Sequence, residues 1–315
     1  MNPILASNRR RHLARRSVLV ALAGAPLFGC AAVPAEADEA APVVELLEVP
    51  GATLEVQFAP GLGAQLRADA LLWVQRCALA VAAYFGHFPL PQVEVLLLPA
   101  DGDGVQAGVS YAEPSPLIRI RLGRETTQAQ FSTDWILVHE MVHLALPRVP
   151  HSQNWLHEGF ATYVEALARG RAAMISALDV WHAWRREMPL GLPQIGDRGL
   201  DHTPTWGRTY WGGALFGLLA DVGMRRQGTP TRGLQQALQG VLAAGGDYRV
   251  AWPLTRILAT ADAAVGQTTL SELYAQMKDR AVMTDLPALW RELGVADGAL
   301  RDDAPLAEVR RAILS

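Results

Sequence analysis

The apolar positions along this chain change rhythm near residue 132. Before that point they alternate or cluster as strands do. Residues 51–58 alternate weakly, 93–98 (Val-Glu-Val-Leu-Leu-Leu) form a compact apolar run, and 117–122 alternate aliphatic residues with arginine, the pattern of a half-exposed strand. Between the last two lies Asp101-Gly102-Asp103-Gly104, dense in turn formers. One helical stretch is set among them: apolar residues recur at helical spacing over 63–85, and Gly86 is a natural stop. After Ser132 the period is helical throughout. Helices are predicted over about 133–146, 154–169, 172–187, 208–226, 231–244 and 270–280, with another near the end. The expected fold class is α+β, a small αβ part followed by a mainly helical part, with a site in the cleft between them.

The first thirty residues follow neither pattern. Arg9, Arg10, Arg11, Arg15 and Arg16 precede the short apolar run 18–23, which is too brief for a stable membrane span and has the proportions of a signal peptide. The run ends in Leu27-Phe28-Gly29-Cys30, which resembles a bacterial lipobox, and Arg15-Arg16-Ser17-Val18-Leu19 resembles a twin-arginine signal. The expectation is a lipoprotein of the bacterial cell envelope, facing the periplasm and anchored to a membrane at Cys30. Ala31 after the Cys is compatible with the outer membrane. Export by the general route or the twin-arginine route stays open. Residues 31–45, rich in Ala, Pro and Glu, are expected to be a flexible tether, 46–245 the main domain, and 246–315 a helical C-terminal part.

Composition narrows this further. A chain of 315 residues, 50% hydrophobic and 19% charged, can bury a substantial core. A net charge of −3 does not steer it toward nucleic acid, so no nucleic-acid partner is expected. No stretch beyond the N-terminus is expected to cross a bilayer. With Cys30 lipidated, Cys77 is a lone, buried, small hydrophobe.

The candidate chemistry starts at His139-Glu140-Met141-Val142-His143. On a helix, residues four apart differ by about 40° in direction and roughly 6 Å in height, so both imidazoles face one way. That suits two nitrogen ligands of a tetrahedral zinc ion. Glu140, turned by about 100°, sits beside the ligand line, where a general base is wanted. Trp135, Ile136, Val138, Met141, Val142 and Leu144 are expected to bury the other faces. A chance match to this pattern is expected on the order of once in a hundred such sequences, so the third ligand decides. Leu146 and Val149 stand where a metzincin carries Gly and His.

Further on, Trp155-Leu156-His157-Glu158-Gly159-Phe160-Ala161-Thr162-Tyr163 resembles the W-x-x-E-G-x-A-x-Y segment of the gluzincin metallopeptidases, including the alanyl- and glycyl-aminopeptidase groups and the wider peptidase MA-like domain. The resemblance implies Zn2+ as cofactor, Glu158 as third metal ligand beside His139 and His143, and a peptide or protein substrate. Gly159 would let this helix press against the first, near the metal. The fourteen residues 144–157 make a shorter spacer than in the aminopeptidases. His151 is the alternative third ligand. Glu165 is either an outer acceptor for a ligand imidazole or a solvated residue, and His157 is either structural or an outer partner.

The segment from Tyr210 through Gly212, Gly213 and Ala214 to Asp221 resembles the gluzincin helix whose Tyr supports the oxyanion. That implies a catalytic Tyr210 beside the general base Glu140; packing of the ring alone is the other possibility. The aminopeptidases also carry an acid that captures the substrate's free amine. Residues 107–112 hold none, so exo- and endopeptidase activity both stay open. An edge strand near 107–111 or 117–122 is expected to align an extended peptide. The expected function is zinc-dependent peptide hydrolysis at the envelope. The alternative is a non-catalytic zinc-fold lipoprotein that binds a partner. Trp252 and Trp290 are expected in the core.

Overall fold

The computed structural model describes residues 41–315. The expected signal peptide with Cys30, and residues 31–40 of the tether, lie outside the described residues. The chain opens with β1 (Val43–Val49) and β2 (Ala52–Phe58), then α1 (Ala64–Phe85), β3 (Gln92–Ala100), β4 (Val105–Tyr111) and β5 (Leu117–Gly123). The tether therefore ends earlier than expected, because Val43, Val44 and Glu45 already pair with Phe58, Gln57 and Val56.

The five strands run in the order β1-β2-β3-β5-β4. β2, β3 and β5 are mutually parallel in sequence of neighbours, while β1 and β4 lie antiparallel at the two edges. Of the two candidates for an edge strand, 107–111 holds, and 117–122 is interior. Alternation explains the two faces of the sheet. Leu54, Val56, Phe58, Val95, Leu97, Ile118, Ile120 and Leu122 point inward and are buried. Against them lies α1, which makes the crossover from β2 to the parallel β3 and buries Trp73, Cys77, Val81 and Tyr84. It is capped by Gly86 at φ 88°, a left-handed position that suits glycine. By length and composition α1 is apolar enough to cross a bilayer, contrary to expectation, but here it is the core helix.

The helical part follows: α2 (Gln128–Thr133), α3 (Ile136–His143), α4 (Asn154–Arg171), α5 (Ala177–Glu187), α6 (Gly213–Gln227), α7 (Leu234–Ala243), α8 (Leu254–Val265), α9 (Thr269–Met277), α10 (Leu286–Leu293) and α11 (Ala307–Ile313). The single helix predicted over 133–146 is broken at Asp134, whose backbone is extended and whose carboxylate accepts from the amides of Ile136 and Leu137 at 3.1 and 3.3 Å. Helix α8 is not among the predicted helices, although Leu254, Ile257, Leu258, Ala261 and Val265 give it a buried stripe. Two short helices and a two-residue hairpin, β6 (Val295–Ala296) with β7 (Ala299–Leu300), stand where one last helix was predicted. Trp252 and Trp290 are buried, as expected.

The site lies where the two parts meet. Strand β4 packs across α3 on one side, and α4 packs on the other. The turn after α3 is pinned from far along the chain: the Tyr248 amide donates to the Leu144 carbonyl at 3.1 Å, and Arg148 exchanges backbone bonds with Val250 and Trp252. Residues just past 245 thus build the floor of the site.

Candidate metal centre

Helix α3 presents His139 and His143 one turn apart, and α4 brings Glu158 opposite them. One Glu158 oxygen, Oε2, lies 3.2 Å from His139 Nε2 and 3.5 Å from His143 Nε2. One ligand atom from each of the three lies within 4.8 Å of the others, the only such cluster of three among the described residues. His151, the rival third ligand, is exposed on a short turn before α4 and is not part of it.

Electrostatics fit a cation here. Burial works against the charge of Glu158, but hydrogen bonds and charge from His139 and His143 outweigh it and hold its carboxyl well below the usual range. Burial lowers the pKa of His139. It opposes protonation of His143 too, where Glu158 outweighs it and raises the pKa. A carboxylate oxygen shared between two imidazole nitrogens is a donor set of the kind that zinc takes, two His and one carboxylate with a position left for water.

Glu140 is held from the sheet side. Ser110 on the edge strand β4 donates its hydroxyl to Glu140 Oε2 at 2.7 Å, with Glu140's backbone oxygen 2.9 Å from the same hydroxyl. Two residues earlier, Gly108 runs so close that a Cβ there would stand 2.7 Å from Glu140 Cγ. Ser110 was not among the expected site residues. Its one signal was a hydroxyl on the inward parity of a predicted edge strand.

Tyr210 enters from a third direction. It sits in a π-helical turn, Arg208–Gly212, that leads into α6. Its ring lies nearly parallel to that of His139, centroids 6.1 Å apart, with Trp206 stacked beyond it at 5.9 Å. Burial first, and then the carboxylates of Glu158 and Glu140, push its hydroxyl pKa up, so it keeps its proton. What brings it there is Gly159. A Cβ on Gly159 would meet Gly213 Cα at 2.2 Å, and one on Gly213 would meet the Trp155 carbonyl at 2.0 Å. The glycine does serve a close helix approach, but against the Tyr210 segment rather than against α3 as expected.

Three further expectations resolve differently. Trp135 is not buried: it is 39% exposed and meets the ring of His139 edge-on at 5.5 Å. Glu165 is neither an acceptor for a ligand imidazole nor solvated; it pairs with Arg169 at 3.1 Å, the carboxylate only 12% exposed. His157 is buried and touches His143, Nδ1 to Nδ1 at 2.8 Å. Burial, with His143 beside it, pushes its pKa down to about 3, so it is neutral. Tyr248, which carried no signal, packs its ring at 45° to that of His157, centroids 5.4 Å apart, and donates to the Ser110 carbonyl at 3.2 Å. A cavity of about 920 Å³ lies elsewhere, between α5 and the C-terminal helices, lined by His182, Arg185 and Trp290. It contains no ligand cluster.

The fold, a small sheet followed by a mainly helical part, is like that of solved M1 peptidases. The chain is similar to the crystal structure of an aminopeptidase N family protein from Idiomarina loihiensis, with a TM-score of 0.62 at 12% identity, over 80% of this chain and 49% of that one. It is also similar to an M1 zinc metallopeptidase from Deinococcus radiodurans, with a TM-score of 0.52 at 17% identity, over 78% and 54%. The chain therefore spans about half the length of these proteins. No protein-family model and no curated protein matches it.

Proposed function

We propose that this chain is a zinc-dependent peptidase, lipid-anchored at Cys30 in a bacterial envelope and facing the periplasm. The observation that carries the reading is the Glu158 oxygen poised between the Nε2 atoms of His139 and His143. His139, His143 and Glu158 hold the ion. Zinc when bound acts as a Lewis acid, lowering the pKa of water and polarising a carbonyl. Glu140, held by Ser110, takes a proton from the attacking water and returns it to the departing amine nitrogen as the C–N bond breaks. Tyr210 donates its hydroxyl to the carbonyl oxygen as negative charge develops there.

The edge strand β4 aligns an extended substrate by backbone bonding beside Glu140. The acid nearest its far end, Glu113, is 2.9 Å from the Arg148 guanidinium, and Arg119 donates to the Tyr111 hydroxyl. Glu113 is thus engaged by a cation of the chain itself, which favours internal bonds or blocked N-termini. A scaffold that only binds a partner has no use for Ser110 holding Glu140.

Two measurements test this. Protein lacking residues 1–30 should hold about one zinc and cleave some member of a peptide library with blocked and free N-termini, while Glu140→Gln keeps zinc and loses about two to four orders of magnitude in turnover. Equal cleavage by both at equal zinc content removes Glu140 from the mechanism. No cleavage by zinc-loaded wild type favours the scaffold. A fatty-acid label should mark the full chain and not Cys30→Ala.

A further inference from the structure

His143 has two ring nitrogens with different neighbours. Nε2 faces Glu158 and the metal position, 3.5 Å from the carboxylate oxygen. Nδ1 faces another histidine: His157 Nδ1 is 2.8 Å away, and the two rings lie at 20° with centroids 4.8 Å apart. Two imidazole nitrogens so close form a hydrogen bond only if one carries a proton and the other a lone pair.

The far side of His157 decides which. Its Nε2 is 3.4 Å from the carbonyl oxygen of Leu146, an acceptor only. That carbonyl belongs to the turn that closes α3, where the Leu146 amide donates back to the His143 carbonyl at 3.2 Å, so its position is fixed by the zinc helix itself. The carbonyl requires a proton on His157 Nε2. With its proton on Nε2, His157 presents Nδ1 as an acceptor, and His143 Nδ1–H is the matching donor. With Nδ1 as the donor, His143 Nε2 is the nitrogen left to offer a lone pair at the ligand position. The polarity of one metal ligand is thus set from a backbone carbonyl, through a second ring. His139 differs: its Nδ1 is buried with no partner.

We propose that His157 is a positioning residue for zinc, locking His143 in the tautomer and ring orientation that present Nε2 to the ion. This rests on the metal site proposed above and adds a member to it. Tyr248, tilted at 45° against the His157 ring and bonded to the Ser110 carbonyl, ties that ring to the strand that holds Glu140. His157 touches neither substrate nor ion. It acts through His143, as hydrogen-bonded outer partners of metal-ligating imidazoles do.

Two measurements on the zinc-loaded chain test it. In wild type labelled with 15N at histidine, His143 should read as protonated at Nδ1 and metal-bound at Nε2, and His157 as protonated at Nε2 with a bare Nδ1. A proton on His157 Nδ1 overturns the proposal, and this reading depends on no variant's folding. The second is zinc affinity by competition with a chelator. His157→Phe keeps the stacked ring and removes the acceptor, and should bind zinc about 10–100-fold more weakly. His157→Asn places an acceptor oxygen at about the same reach and should recover most of that loss. If His157→Phe matches wild type, or His157→Asn is as weak as His157→Phe, the proposal falls while the metal site stands. If wild type itself takes up no zinc, the metal site falls and this goes with it.

Discussion

Two buried charged clusters lie at the two ends of the contact between α4 and α6, and they are built on opposite principles. In the one around Asp221, both carboxylate oxygens have partners. Asp221 Oδ1 accepts from Arg225 Nε at 2.8 Å and from the Leu234 amide at 2.9 Å, and its Oδ2 accepts from the Tyr163 hydroxyl at 3.0 Å. Arg225 in turn donates to the Pro230 carbonyl. At the other end, Glu158 offers one oxygen to two imidazoles, and neither contact is as short as those of Asp221. Burial of charge is common to both. What separates them is surplus acceptor capacity: a saturated cluster joins helices, whereas one with converging lone pairs calls for a cation.

The sharpest way to break this contrast is to remove the acceptors. Glu158→Ala should weaken zinc binding by more than the about 10–100-fold that an outer partner is worth. Chelation should then lower the melting temperature of wild type and leave that of Glu158→Ala unchanged, since only the former gains stability from the ion. Asp221→Ala should do the reverse. Its partner Arg225 is 2% exposed, and stranding it should cost on the order of 3–5 kcal/mol in denaturant unfolding, with zinc stoichiometry intact. Zinc loss in Asp221→Ala at a temperature where it remains folded would erase the distinction.

Smaller effects sharpen it. Tyr210→Phe should leave zinc and stability alone and cost on the order of a hundredfold in turnover, with little change in apparent substrate affinity. A third cluster lies behind α3 and tests the cost of burial without a metal. Burial pushes Asp134 up to about 6 and Glu165 up to about 7, with Arg169 pulling both back. The folded state therefore holds protons that the unfolded chain releases near pH 4. Their contribution to stability should fall as pH rises from about 4 to about 7. Glu165→Gln removes one of the two, so its stability relative to wild type should climb across that window by on the order of 3 kcal/mol. A pH-independent difference would mean that Arg169 keeps Glu165 charged throughout.

The fold class and the pairing of the first two proposed ligands were legible in the residues because they depend on local periodicity. Alternation over 117–122 decided which face of β5 is buried, and spacing of four put His139 and His143 on one side of a helix. Glu158 was legible only by resemblance, since local spacing does not say which residue of α4 comes to face His139 and His143. Asp134 broke the predicted helix because a carboxylate two residues ahead of an amide competes with the helical hydrogen bond, an outcome that periodicity does not record. Beyond that range only the tertiary structure decided. Ser110 reaches Glu140 across thirty residues, Tyr248 reaches Ser110 across a further 138, and Gly159 is required by Gly213 rather than by the zinc helix. The two proposed histidine ligands are placed by the turn of one helix. Those that orient ligands and base are fixed by which elements pack together, and packing is a property of the whole chain.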